Sequence, residues 1–116
     1  MVYEIRSKEE FVRAVKGNDV VLIELYDPDN DECVIMYESM KEFSKYADRN
    51  VLFCRLNVKE HPDVIKAPST PMLQVYYKGE LVFEQIGVLS TVELNMKVVR
   101  RSIREIFKSR NINVRI

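Results

Sequence analysis

The chain is poor in the residues that reactive centres and membrane spans depend on. Its 116 residues include two cysteines, one histidine and three glycines, and the formal net charge is zero. Two cysteines, Cys33 and Cys54, make no disulfide framework, which points to a reducing, cytoplasmic setting. With His61 as the sole histidine, no Cys/His cluster can complete a metal site and no nucleophile triad can be assembled. No cofactor is expected. No apolar run approaches the roughly 18 residues of a membrane span, and "MVYEIRSKEE" lacks the charged-then-apolar pattern of a secretory signal. No repeat, linker or low-complexity tract interrupts the chain.

What is present suits one small domain. Apolar residues make up 47% and charged residues 31%, enough for a core and a solvated surface. The organisation expected is a domain over 1–110 followed by a frayed tail over 111–116. Charge is unevenly spread: residues 1–50 carry twelve acids and seven bases, residues 51–116 six acids and eleven bases. The result is a dipolar body and not a basic nucleic-acid binder.

Periodicity predicts the elements. "VYEI" reads as a short strand. Ser7 and Glu10 form a capping box opening a helix that buries Phe11, Val12 and Val15. "DVVLIELY" is a nearly unbroken apolar run, as in a central strand covered on both faces. Met36, Met40, Phe43 and Ala47 recur at helical spacing within 30–48. "NVLFCRLNV" is a further strand, and "KEHPDVIKAPSTP" is expected to hold a short helix, with His61 at its start, and then a turn. "MLQVYYKGELVFEQIG" is a hairpin about Lys78-Gly79-Glu80. Ser90 and Glu93 open a last helix, expected to bury Leu94, Val98, Ile103, Ile106 and Phe107. The order β-α-β-α-β-α-β-β-α, with a mixed central sheet and helices on both faces, is that of a thioredoxin fold.

The stretch "YDPDNDECVIMYE" carries the chemical question. Asp27, Asp29, Asp31 and Glu38 fall at positions one, three, five and twelve of a calcium loop. Glu32, however, replaces the glycine needed at position six, and the loop follows a strand where a helix is required. These acids are better placed to cap a helix beginning near Asp29 or Asn30 and to complement its positive end. In a thioredoxin two cysteines stand at this junction, separated by two residues. Here Asn30 occupies the attacking position and only Cys33 remains, so ordinary dithiol exchange is excluded and a one-thiol reaction is the most that is open. The helix N-terminus lowers the pKa of Cys33 while the surrounding carboxylates oppose it.

Other residues suggest roles of their own. Thr70-Pro71 lies where this fold holds a cis proline, and the exposed backbone of Thr70 is expected to pair with an extended peptide. Glu24 interrupts the most apolar strand and is expected to pair with Arg55 on the next. Cys54 reads as a small core residue. On the last helix Lys97, Arg101, Arg104 and Lys108 recur at steps of four, three and four, with Arg100 beside them. This basic stripe is a solvated face or a dock for an acidic protein surface; with no interleaved aromatics it does not suit nucleic acid.

Four blocks in order, "VYEIRSKEEFVRAV", "VVLIELYDPDNDEC", "VLFCRLNV" and "STPMLQVYYKGELVFEQIG", resemble the thioredoxin-like domain of the phosducin-like proteins. Those proteins also typically lack the first active-site cysteine; where their pattern has Pro-Thr, this chain has Pro71-Met72. The resemblance implies a chain that is not an enzyme: a co-chaperone of the cytosolic chaperonin in folding actin, tubulin or G-protein beta, or a regulator of the G-protein beta-gamma dimer. Thr70, Pro71, Lys97, Arg101, Arg104 and Lys108 are the expected contacts. The family's N-terminal helical segment is not in this chain, which is expected of a cut piece or a minimal member. Two alternatives stand beside it: a one-thiol redox protein using Cys33, and a spliceosome-type thioredoxin-like scaffold.

Overall fold

A computed structural model describes residues 1–116. The elements are β1 (Tyr3–Ile5), α1 (Lys8–Gly17), β2 (Val20–Tyr26), α2 (Glu32–Tyr46), β3 (Val51–Asn57), β4 (Met72–Tyr77), β5 (Glu80–Ile86) and α3 (Val92–Ser109). They form one sheet in the order β1-β3-β2-β4-β5. The first three strands run parallel, and β4 and β5 are antiparallel additions. This is the thioredoxin fold.

β2 is the middle strand, and its burial on both faces explains its unbroken apolar run. Val20 and Leu22 face α2 and α3, packing with Met36, Met40, Phe43, Val99, Ile103 and Phe107. Val21, Ile23 and Leu25 point the other way, toward Ile5, Val15, Cys54, Leu56 and the half-buried Phe11 of α1. Each fully buried Leu or Ile contributes about 1.5–3 kcal/mol, so the two half-cores together clamp β2 from either side. The β4–β5 hairpin turns at Lys78 (φ 48°) and Gly79 (φ 85°). Both central residues therefore lie in the left-handed region that a two-residue hairpin loop requires.

Several local expectations are corrected. No helix forms between β3 and β4. Residues 59–71 are turns, with the Val64 N–H donating to the His61 carbonyl at 3.2 Å. Val58, Val64, Ile65 and Ala67 pack against the second half-core nonetheless, so the segment covers that face with isolated turns and no continuous run of helical hydrogen bonds. The cap of α3 is Thr91, not Ser90: its hydroxyl accepts from the Leu94 N–H at 3.1 Å. The buried stripe of α3 is accordingly Asn95, Val99, Ile103 and Phe107, while Leu94 and Val98 are exposed. Asn95 reaches inward because it has partners there: Nδ2 donates to Ser39 Oγ at 3.0 Å, and Oδ1 accepts from the Leu89 N–H at 3.2 Å.

On α1, Ser7 accepts from the Glu10 N–H at 3.1 Å, but the Glu10 carboxylate reaches back to the Arg6 N–H at 3.0 Å. Val15 is buried and Val12 is exposed. The tail is not frayed. Ile112 and Ile116 are buried in the core, and the Asp48 N–H donates to the Arg115 carbonyl at 2.9 Å. No helix is long and apolar enough to cross a membrane.

Candidate active site

The parity of the strands decides what lies beneath the start of α2. Glu24 and Tyr26 follow Val20 and Leu22 on the same face of β2, where the apolar core gives way to polar side chains. Arg55 is opposite Glu24 in the β2–β3 register, and Glu4 is opposite Arg55 in the β1–β3 register. Three ionisable residues thus stand in a row across three strands.

Within that row Arg55 is held from several directions. Its guanidinium lies 3.7 Å from the Tyr26 ring centroid and 3.9 Å from that of Tyr37, packed against both faces in cation–π geometry. The Tyr26 hydroxyl donates to Glu4 Oε2 at 2.8 Å. Arg55 Nε is 3.3 Å from Glu24 Oε1. The alignment is not that of a hydrogen bond, and both Glu24 oxygens and Arg55 Nε are buried without a hydrogen-bond partner. The contact is therefore a close approach without an aligned hydrogen bond. Burial dominates the balance: it pushes the Glu24 carboxyl up to about 8, against the opposing pull of Arg55 and with further upward pressure from Glu4.

The first turns of α2 border this row, with Cys33 and Tyr37 lining one cavity with Tyr26 and Arg55. Asp31 is its first boundary residue and makes no side-chain cap. Asn30 does the capping, its Oδ1 accepting from the Glu32 N–H at 3.0 Å. The amide nitrogen of the same side chain turns the other way, and Nδ2 donates to the Thr70 carbonyl at 2.7 Å. The Thr70–Pro71 bond is cis. Thr70 is half-buried and Pro71 buried, and the Thr70 carbonyl already accepts one hydrogen bond from Asn30. The acids of the loop are also engaged elsewhere. Lys59 Nζ lies 2.6 Å from Asp29 and 3.9 Å from Asp27, and Glu38 pairs with Lys41 at 3.0 Å.

Cys33 is 3% exposed. Its thiol pKa is raised, chiefly by burial. The backbone of Asp27 and the side chain of Thr70 pull it down, and the charges of Glu24 and Asp27 push it up. It is a thiol at neutral pH. Beside it opens a cavity of about 200 Å³, walled by Tyr26, Asn30, Cys33, Val34, Tyr37 and Arg55. Cys54 is buried in the second half-core, and burial pushes its thiol up to about 12.

Sequence reasoning brought Cys33, Glu24, Arg55 and Thr70 into one region but missed Tyr26, Tyr37, Glu4 and the Asn30–Thr70 contact. Two of these leave a trace in the spacing: Tyr26 is two residues from Glu24 on a strand, and Tyr37 is four from Cys33 on a helix. The stripe of Lys97, Arg101, Arg104 and Lys108 is exposed on α3, outside the cavity that Cys33 lines.

Comparison with solved structures gives the class of the fold. Mitochondrial thioredoxin 3 of Saccharomyces cerevisiae, in its oxidized form, is similar with a TM-score of 0.75 at 22% identity, over 90% of this chain and 94% of that one. Plasmodium falciparum thioredoxin gives 0.74 at 20% identity over 89% and 97%. Malassezia sympodialis thioredoxin gives 0.73 at 16% identity over 90% and 91%. No family model and no curated protein matches the chain.

These neighbours establish a thioredoxin fold, and none of them points to the phosducin-like proteins in particular. The expectation of a chain that is not an enzyme is corrected by them. The structures it resembles are thioredoxins, which are oxidoreductases, and at 16–22% identity the likeness is one of fold.

Proposed function

We propose that this chain is a one-thiol redox protein of thioredoxin fold in which Cys33 is the reacting sulfur. The observation that carries the reading is the position of Cys33. It sits in the first turn of α2, on the wall of a cavity, against Thr70 and above a buried carboxyl. Glu24, raised to about 8, holds its own proton at neutral pH and becomes able to accept that of the Cys33 thiol only as pH rises past that value.

The chemistry balances with two external sulfur compounds. The Cys33 thiolate attacks one sulfur of a disulfide, forming a mixed disulfide and releasing the other sulfur as a thiolate, which takes up a proton. A low-molecular-weight thiol then attacks the mixed disulfide at the substrate sulfur. Cys33 is freed, and the small thiol leaves as a disulfide with the substrate fragment. Asn30 cannot take part in either step, so the second thiol must come from outside the chain.

The test is trapping and turnover. Incubation with 2-hydroxyethyl disulfide is expected to add one mercaptoethanol group, located at Cys33 by mass spectrometry, with Cys54 unmodified. Thiol-dependent reduction of that disulfide should rise between about pH 7 and 9 and fall to background in Cys33→Ala. Equal rates for the wild type and Cys33→Ala would remove the reading.

A second reading, a partner-binding protein of the phosducin-like kind, is favoured by the four sequence blocks that resemble that family. A pull-down that recovers the cytosolic chaperonin or a G-protein beta subunit with this chain would support it.

A further inference from the structure

We infer that the exposed face of α3 is a docking surface for an amphipathic acidic helix of a partner protein. The assignment goes beyond the thiol chemistry and does not depend on it, because the surface lies outside the Cys33 cavity.

The first observation is a set of cations that form no ion pair with an acidic side chain. Lys97, Arg101, Arg104 and Lys108 are exposed, and their steps of four, three and four keep them on one side of the helix over about 16 Å of its axis. None of them pairs with an aspartate or glutamate, although Glu93 and Glu105 stand on the same helix. Arg104 Nη2 instead donates to the main-chain oxygen of Ile116 at 3.2 Å. On α2, by contrast, Lys41 and Lys45 each pair with the glutamate three residues before them. Arg100, on the inner border of the stripe, packs over Phe43 and Tyr46 and has two buried guanidinium nitrogens without a hydrogen-bond partner. The five cations and two carboxylates line an open hollow of about 640 Å³.

The second observation is apolar. Leu94 and Val98, one turn apart on the flank of the stripe, are 44% and 37% exposed. Their exposure follows from the Thr91 cap, which gives the inward positions to Asn95 and Val99. α3 therefore presents an apolar edge next to a row of cations.

A partner helix with acids at i, i+4, i+7 and i+11 has the same rise and pitch as the stripe, so each carboxylate meets one cation. Apolar residues along its neighbouring edge would cover Leu94 and Val98. The two carboxylates in the hollow favour a protein over a uniform polyanion, since a partner helix can set a lysine against Glu93 or Glu105 and a phosphate backbone cannot. Nothing aromatic lies in the hollow on which a base could stack. Met96 is its one apolar lining residue, and Leu94 and Val98 add only two aliphatic side chains at the edge, little for a lipid surface to embed.

The experiment uses the full chain and a fluorescent synthetic helix carrying glutamates at those four positions and leucines on the adjacent edge. A peptide of equal composition with the register scrambled is the control. Anisotropy is expected to show binding of the registered peptide at least about tenfold tighter than the scrambled one, weakening between about 50 and 300 mM salt. The triple variant Lys97→Glu/Arg101→Glu/Lys108→Glu, which spares the Arg104 contact with Ile116, should lose at least about tenfold in affinity. Leu94→Ser should lose severalfold, and both should keep the far-UV circular dichroism of the wild type. Equal binding of the two peptides, or an unaffected triple variant, overturns the proposal. So does tighter binding to phosphatidylserine vesicles or to a short DNA duplex, which would give the face to lipid or to nucleic acid.

Discussion

Glu24 makes the stability of this protein depend on pH in a direction opposite to that of most carboxylates. An acid paired or hydrogen-bonded in a fold usually has a lowered pKa and stabilises at neutral pH. Glu24 is fully buried, neither of its oxygens has a hydrogen-bond partner, and its pKa is raised from 4.5 to about 8. Between those two values the folded chain keeps a proton that the unfolded chain has released. Stability is therefore greatest below pH 4.5, as far as this group is concerned, falls as pH rises to about 8, and levels off above it. The slope approaches about 1.4 kcal/mol per pH unit, and over the window the loss is on the order of 5 kcal/mol. That is a large share of the roughly 5–15 kcal/mol that holds a domain of this size together. Urea unfolding of the wild type and of Glu24→Gln at intervals from about pH 5 to 9 tests it directly. The wild-type free energy should decline across the series while that of Glu24→Gln stays nearly level, so that the difference between them shifts in favour of the variant as pH rises. Parallel profiles would show that the carboxyl is ionised throughout and that Arg55 outweighs burial.

Two further outcomes follow from the site and the tail. Asn30→Cys places a second sulfur at the attacking position before Cys33 and releases the Thr70 carbonyl from its amide. Insulin-disulfide reduction is expected to rise at least about tenfold over the wild type and to vanish again when Cys33→Ala is added; no rise would show that more than the missing sulfur separates this loop from a dithiol centre. Ile116 is 1% exposed, so Ile116→Ala should cost about 2–4 kcal/mol in urea unfolding, where a frayed tail would give no change.

The thioredoxin fold was legible in the chain because hydrophobic period and element order are local properties. β2 announces itself as a run buried on both sides, α2 by Met36, Met40 and Phe43, the hairpin by Lys78-Gly79. The errors fall where local signals compete. Ser90 and Thr91 are both good caps, and a shift of one residue rotates the helix by about 100°, moving the buried stripe from Leu94 and Val98 to Asn95 and Val99. The segment after β3 carries helix-compatible residues, but packing against the second half-core holds it in turns. The tail looked free because its two buried isoleucines, Ile112 and Ile116, stand among polar residues, and only the completed core offers them a place.

What the sequence determined by itself was the absence of a second sulfur at the start of α2, a fact about residue 30 that no folding can alter. It also determined the basic stripe, because charges four and three apart on a helix share a face wherever that helix lies. Tertiary structure alone decided how these are used. Strand register set Glu4, Arg55 and Glu24 in one row, and the turn at Thr70 came back to Asn30. Burial, which depends on every neighbour at once, set the pKa of Glu24 and of Cys33. Proton affinity at such a site is a property of the surroundings, and the surroundings are assembled from residues far apart in the chain.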